Sequence, residues 1–412
     1  MFPTASLLST IFLALTVAAK PVAVPDSPIS LPIARRLNTS GGAINLLQHD
    51  QARAAALRDR AEAISSGKMS RRAAAASIPV INEATSYIAQ VGVGNPATTY
   101  DLIVDTGSSN TWVGAGTAYK ETSTSVDTDE PVSVTYGSGS FSGTEYTDTV
   151  TLGSLTITTQ SIGVAQTSTG FSGVDGILGI GPLDLTEGTL TDEQDATIPT
   201  VTDNLYSQGT IPEAVVGVSF EPTTSEEVTN GELTFGGTDS TKYTGAITYT
   251  PLTTTYPASY YWGINESITY GSTTILSETA GIVDTGTTLI LIATNAYSKY
   301  QSATGATEDN TTGLLRITTS QYDALEDLNF NVDGTTYALT PNGQVWPRSL
   351  NTYIGGTSNY VYLIVNSIGT PSGEGLDFIN GYTFLERFYS VFDTTNSRVG
   401  FATTSYTDAT TN

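Results

Sequence analysis

The stretch Ile103-Val104-Asp105-Thr106-Gly107-Ser108-Ser109 returns 179 residues later as Ile282-Val283-Asp284-Thr285-Gly286-Thr287-Thr288. In each copy an apolar β-branched pair predicts a buried strand, an Asp stands at its end, and Gly permits the sharp turn that follows. A second pair keeps the same frame: Gly176-Ile177-Leu178-Gly179 begins 71 residues after Asp105, and Phe378-Ile379-Asn380-Gly381 begins 94 after Asp284. Such a spacing is too long for a solenoid period. Two related lobes, each presenting one Asp, account for it. A single Asp-Thr-Gly in a Gly- and Thr-rich chain is an ordinary turn; two in matching apolar frames are poorly explained by coincidence.

Working outward from these two turns, the chain from Ile78 onward reads as one short strand after another. Tyr87–Val93, Thr99–Val104, Val132–Tyr136, Glu145–Leu152, Leu155–Ile162 and Val399–Ala402 each carry β-branched or aromatic alternation between Gly, Ser, Asn or Pro punctuation. Helical patterns are few: Val201–Ser207, Ala293–Ala303, Thr319–Leu325 and Phe384–Phe388. The fold class is all-β with a few short helices. A boundary near Thr250, in front of the Thr/Pro-rich stretch Pro251–Pro257, divides it into lobes at 73–250 and 251–412.

The N-terminal part has a different character. Leu7–Ala19 is an apolar run too short to span a membrane and ends in small residues, which predicts a secretory signal over 1–19 and an extracellular protein. Its n-region holds no Lys or Arg, and the alternative is a buried core strand. Residues 20–72 are basic, rich in Ala, Arg and Leu, with a helical pattern over Ala43–Ile64 and a closing Arg71-Arg72 pair. They read as a propeptide, the other possibility being a disordered tail. Either the dibasic pair is cut by a processing protease, or the chain cuts itself nearby at acid pH.

Charge divides the same way. Residues 1–72 hold nine of the 16 Lys and Arg and four of the 40 acids, leaving residues 73–412 with 7 basic and 36 acidic side chains, a net of −29. So acidic a body repels nucleic acid and anionic membranes and offers a docking surface to the basic segment. The 412 residues contain no Cys, and the one His is His49. Without residues 1–72 there is no His-based triad, no Cys nucleophile and no His or Cys metal ligand. Chemistry must rest on carboxylates, hydroxyls and backbone, and we expect no metal and no cofactor. Asp127, Asp129 and Glu130 read as a solvated acidic loop in preference to a calcium site.

Two buried carboxylates brought face to face cannot both ionise comfortably, so one keeps a proton and the other stays charged. Such a pair can hold a water, one carboxylate removing its proton while the other polarises a carbonyl. A glycosidase also uses two carboxylates, but does not require this internal symmetry.

On these residues the sequence resembles the pepsin-like aspartic proteases, and among them the fungal polyporopepsin type, over roughly residues 78–405. Asp105-Thr106-Gly107-Ser108-Ser109-Asn110-Thr111-Trp112 and Asp284-Thr285-Gly286-Thr287-Thr288 are similar to the family's two active-site loops. The resemblance implies a bilobal fold, with two six-stranded-barrel-like lobes around a cleft, and a dyad of Asp105 and Asp284; one proton shared between the two is established behaviour for that family's dyad. It implies that Thr106 and Thr285 exchange hydrogen bonds across the lobes and that Ser108 and Thr287 bond the outer oxygens of the aspartates. Val134–Ser140 resembles the mobile flap, which places Tyr136 over the scissile bond, supported by Trp112. Gly107, Tyr136, Gly137, Ser138 and Gly286 would then bind an extended peptide as an added strand. Phe171, Ile177 and Tyr261 are weaker pocket candidates, for which core packing is the simpler role. The sequence departs from the family in having no disulfides, in a short Trp112–Tyr136 stretch, and in Asn380 and Tyr382 around Gly381.

The implied activity is endopeptidase action at acid pH between hydrophobic residues. The partners are protein or peptide substrates and the chain's own propeptide, and the enzyme is expected to be a monomer. The competing readings are a non-catalytic binding protein on the same fold and a carboxylate glycosidase. Asn38, Asn265 and Asn310 begin N-glycosylation triplets, of which Asn265 and Asn310 fall in the body.

Overall fold

The computed structural model describes residues 28–38, 42–67, 85–137 and 139–411. The apolar run Leu7–Ala19, the Arg71-Arg72 pair and Ser138 lie outside the described residues.

In chain order the elements are β1 (Ile29–Leu37), α1 (Leu46–Ser66), β2 (Thr85–Val93), β3 (Thr98–Asp105), β4 (Trp112–Val113), β5 (Val126–Thr135), β6 (Ser140–Leu152), β7 (Leu155–Thr169) and β8 (Gly176–Gly179). There follow α2 (Val201–Ser207), β9 (Val215–Ser219), β10 (Glu227–Phe235), β11 (Thr244–Pro251), β12 (Gly263–Tyr270), β13 (Thr273–Val283), β14 (Ile290–Ile292) and α3 (Thr294–Thr304). The chain closes with β15 (Thr307–Glu308), β16 (Leu315–Ile317), α4 (Thr319–Tyr322), β17 (Leu328–Val332), β18 (Thr335–Leu339), β19 (Val361–Tyr362), β20 (Val365–Ser367), β21 (Phe378–Asn380), α5 (Tyr382–Leu385), β22 (Phe388–Asp393) and β23 (Arg398–Thr403).

Thirteen strands form one sheet in the order β11-β23-β22-β9-β10-β1-β2-β3-β8-β4-β7-β6-β5, and seven form a second, β18-β17-β12-β13-β21-β14-β20. The two Asp-bearing strands are built alike. β3 runs parallel to β8, with Val104 opposite Leu178, and β13 runs parallel to β21, with Val283 opposite Asn380. The second sequence pair thus takes the equivalent place beside each catalytic-type turn. β22 and β23 do not join the second sheet; they pair with β9 and β11 in the first.

Segment 20–72 supplies more than its expected helix. β1 is a central strand, antiparallel to β10 on one side and β2 on the other. Leu31, Ile33, Arg35 and Leu37 point inward, an alternation with an Arg on its buried face. Pro32 is tolerated because pairing with β2 begins only at Ile33, so its missing N–H costs no ladder bond there. α1 begins at Leu46, slightly later than the pattern suggested, because the Asn45 side chain accepts the Gln48 N–H at 3.0 Å and fixes the start. It stops where Gly67 turns left-handed, at φ 57°. Its buried side, Leu46, His49, Asp50, Arg53, Ala54, Leu57, Ala61 and Ile64, follows a spacing of one helical turn.

Candidate active site

Strands β3 and β13 carry Asp105 and Asp284 into the interior, 1% and 0% exposed. The loops beyond them mirror each other. Gly107 N–H donates to Asp105 Oδ1 at 2.9 Å and Gly286 N–H to Asp284 Oδ1 at 3.0 Å. The Ser108 hydroxyl donates to Asp105 Oδ2 at 2.5 Å, and the Thr287 hydroxyl to Asp284 Oδ2 at 2.6 Å. Across the interface, Thr106 N–H donates to Thr285 Oγ1 and Thr285 N–H to Thr106 Oγ1, both at 2.9 Å. Each hydroxyl passes its own proton onward, Thr285 to Val104 O and Thr106 to Val283 O. The lobes are therefore locked at the base of the two carboxyls, with each buried polar atom in this exchange satisfied.

The glycines face the opposite aspartate. A Cβ on Gly107 would lie 2.7 Å from Asp284 Oδ1, and one on Gly286 2.6 Å from Asp105 Oδ1. A side chain at either position would fill the space between the carboxyls. Here that space holds a residue the sequence reasoning did not single out. Arg53, on the inner face of α1, donates from Nη2 to Asp105 Oδ1 at 2.5 Å and to Asp284 Oδ1 at 2.9 Å, and from Nε to Asp284 Oδ2 at 2.7 Å. The only local signal for it is its register, seven residues after Leu46 and four before Leu57, which puts a cation on an apolar helix face.

Further bonds hold α1 in the cleft. Leu289 N–H donates to Asp50 at 2.7 Å, Gln51 donates to Ser367 O at 2.8 Å, and Tyr261 hydroxyl donates to Leu57 O at 2.7 Å. Arg58 reaches Thr370 and Leu376, and Arg60 reaches the carbonyls of Leu185 and Glu187. The basic segment docks through defined partners as well as through opposite net charge.

The two carboxyls titrate apart. Burial is the largest influence on Asp105; with the Asp284 charge it raises the carboxyl above its usual range against the pull of Arg53. Burial also opposes ionisation of Asp284, but Arg53, holding it by two hydrogen bonds, helped by Thr287 and Gly286, brings it below that range. The arrangement favours one ionised carboxylate, Asp284, and one carboxyl, Asp105, that keeps its proton.

The β5–β6 hairpin folds over this centre, closed by Tyr136 N–H donating to Gly139 O at 2.7 Å. A side chain on Gly137 would overlap the backbone of Arg53, so the hairpin tip lies directly on α1. Tyr136 is buried, and its ring stacks 6.5 Å from that of Trp112 at 25°. The two rings pack together, and Trp112 is also among the groups whose hydrogen bonding offsets the rise that burial gives the Tyr136 phenol. Phe171 meets both rings edge-on, at 4.8 and 5.6 Å. Ile103, Tyr136 and Ile177 line a small cavity beside Asp105, with His49 and Arg53 on its other side. Tyr382 lies below, its ring 5.6 Å from the Arg35 guanidinium, which pairs with buried Glu386. Among the described residues no group of three or more His, Asp or Glu side chains is placed to hold a metal ion. No helix among them is long and apolar enough to cross a membrane.

The family description for eukaryotic aspartyl proteases matches residues 86–404. The chain is 68% identical to polyporopepsin of Irpex lacteus over 340 residues, covering 82% of this chain and all of that one. It is 32% identical to pepsin A of Sus scrofa over 337 residues, covering 77% and 81% of the two chains. Among solved structures, the crystal structure of the aspartic proteinase from Irpex lacteus superposes with a TM-score of 0.80 at 60% identity, covering 94% of this chain and all of that one.

Proposed function

This chain belongs to the eukaryotic aspartyl protease family and is a pepsin-like aspartic endopeptidase, and on that premise we propose that it is exported as a self-inhibited precursor and, once residues 1–72 are removed, cleaves extended protein substrates at acid pH. Asp105 and Asp284 are the catalytic pair. The observation that carries this reading is the position of Arg53 Nη2, within hydrogen-bonding distance of both inner oxygens at 2.5 and 2.9 Å. That is the place a water must occupy to be activated by the pair. With the helix gone, the ionised carboxylate of the pair takes a proton from that water as its oxygen attacks the scissile carbonyl carbon, and its protonated partner gives its proton to the carbonyl oxygen. Collapse of the resulting diol returns a proton to the departing amide nitrogen and frees two peptides.

The remaining parts of the reading rest on their own supports. The exclusion of substrate by α1 and the close approach of the Arg53 backbone to the Gly137 tip, which leaves no room for a side chain there, favour inhibition by the chain's own segment. The Irpex lacteus relative matches over 340 residues, which is also the length of 73–412, the proposed mature protein. Apolar surface from Ile103, Tyr136, Phe171 and Ile177 beside Asp105 favours hydrophobic residues next to the scissile bond. Gly107, Gly137, Ser138 and Gly286 are assigned to the peptide backbone, and Thr106, Thr285, Ser108 and Thr287 to holding the dyad. The enzyme is proposed to act as a monomer, without metal or cofactor. Asn310 is exposed in a turn and fits glycosylation, whereas the exposed Asn265 already accepts a hydrogen bond from Thr253.

Acid triggers release in this scheme. Because Arg53 depresses Asp284, the pairing contributes fully above the ordinary value of 3.8 and is lost as pH falls through the lowered one. The test is incubation of purified precursor at about pH 3–4, around the ordinary carboxyl range, followed by assay on a denatured protein with and without a statine peptide. Processing and statine-sensitive proteolysis are expected. An intact, silent precursor, or proteolysis that statine leaves untouched, contradicts the proposal.

A further inference from the structure

The internal duplication supplies a comparison at one buried point. Across each catalytic-type strand, Val91 on β2 stands opposite Tyr100, and Glu266 on β12 stands opposite Thr279. Tyr100 and Thr279 are themselves related by the 179-residue repeat, so Glu266 occupies the place of Val91. Likewise Asn380, opposite Val283, occupies the place of Leu178, opposite Val104. Where the first lobe buries a Val and a Leu, the second buries a Glu and an Asn, and all four are 0% exposed.

Asn380 Nδ2 donates to Glu266 Oε2 at 2.8 Å. Glu266 Oε1 and Asn380 Oδ1 are both left without a hydrogen-bond partner. Two unpaired acceptors on two groups already bonded to each other are the mark of a missing proton. A protonated Glu266 donates from Oε1, and the two side chains then match as an acid–amide pair. The titratable groups on the surrounding elements are Tyr270 on β12, Glu278 and Asp284 on and just past β13, Asp377 just before β21, Tyr337 on β18, and Tyr382 on α5. None of them is hydrogen-bonded to Glu266 and none is a cation. Burial pushes the Glu266 carboxyl up to about 8, opposed only by its Asn380 bond.

The pair supports the catalytic loop. The Asn380 carbonyl accepts the Asp284 N–H at 3.1 Å, and the Tyr382 N–H donates to Thr287 O at 2.8 Å. Between them, a side chain on Gly381 would overlap the Leu289 carbonyl, so this segment is pressed against the back of the Asp284 loop.

We infer that Glu266 and Asn380 form a proton-dependent support beneath Asp284: protonated, the pair fixes β21 under the catalytic loop, and ionisation of Glu266 opens it and disables the enzyme as pH approaches neutrality. Glu266 is a positioning residue and touches no substrate. A charge on Glu266 would face no cation among these groups, and the repeat shows that a fully apolar pair is compatible with the same local fold.

The test is the pH of half-inactivation of the active enzyme. Samples are held across about pH 5–9, spanning the ordinary and raised carboxyl ranges, and assayed at acid pH relative to each variant's own unincubated activity. Glu266→Gln reproduces the protonated donor and cannot ionise. A double Glu266→Val, Asn380→Leu variant copies the first lobe. Both are expected to move half-inactivation upward by about one pH unit or more. The melting temperature of the full-length chain gives a second readout, with a smaller fall between acid and neutral pH in both variants. Half-inactivation unchanged in both would overturn the inference. So would an upward move seen only with Glu145→Gln, since Glu145 is the buried carboxyl of the flap sheet, pushed up to about 7.

Discussion

Replacing Arg53 by Leu in the precursor should release activity at mildly acid pH without any cleavage of the chain. The substitution keeps an apolar helix face but removes three charged hydrogen bonds, at 2.5, 2.7 and 2.9 Å, from a fully buried site. Deleting one partner of a buried ion pair costs about 3–5 kcal/mol. The lower end applies, because the abandoned carboxyls can take up a proton and share it. About 3 kcal/mol lowers the ratio of closed to open cleft by roughly 10²-fold. The sign with pH follows from Asp284: its depressed value means that Arg53 contributes fully above 3.8 and progressively less below. Variant and native precursors should therefore differ most at about pH 6 and converge as acid protonates the dyad. Cleavage of a fluorogenic peptide over the first minutes measures the open fraction, while electrophoresis verifies that the chain is still full length. Arg53→Lys, which keeps the charge but not the two-pronged geometry, should fall between. An Arg53→Leu precursor as silent as the native one at about pH 6 would refute the assignment of Arg53 as the plug.

Other substitutions probe the rest of the site. Gly286→Ala places a methyl group 2.6 Å from Asp105 Oδ1, and kcat/KM of the active enzyme should fall by about 100-fold or more while Tm changes little. Thr106→Val leaves the Thr285 N–H buried and unpaired, so Tm should drop by the equivalent of about 1–3 kcal/mol, with Thr106→Ser recovering most of it. Glu386→Gln deprives buried Arg35 of its counter-ion at 3.3 Å, and the precursor should process at a higher pH than the native chain, measured by the pH of half-conversion.

Asp105 and Asp284 could be read from the sequence because a duplicated gene product repeats its local frame, and the turn after each strand needs a Gly for a steric reason the structure makes explicit. Val201–Ser207 was legible to its ends, since Thr200 and Asp203 cap each other. Arg53 was not, because its partners lie 52 and 231 residues away and a helical Arg among alanines carries no mark of its destination. β1 was hidden for two reasons. Pro32 argues against a central strand, and Arg35 breaks the apolar face that its alternation would otherwise reveal. The joining of β22 and β23 to the first sheet was equally out of reach, because alternation shows which face of a strand is buried and not which strand it pairs with.

The claim beneath all of these is that Asp105 and Asp284 together activate one water. Its most direct measurement is the rate of acid proteolysis by Asp105→Asn and Asp284→Asn enzymes whose Tm matches the native protein. Each variant keeps the shape of the side chain but cannot exchange a proton, so the account predicts a fall of about 10²–10⁴-fold or more in kcat for both. Either variant cleaving the same bonds within about tenfold of the native rate would contradict it.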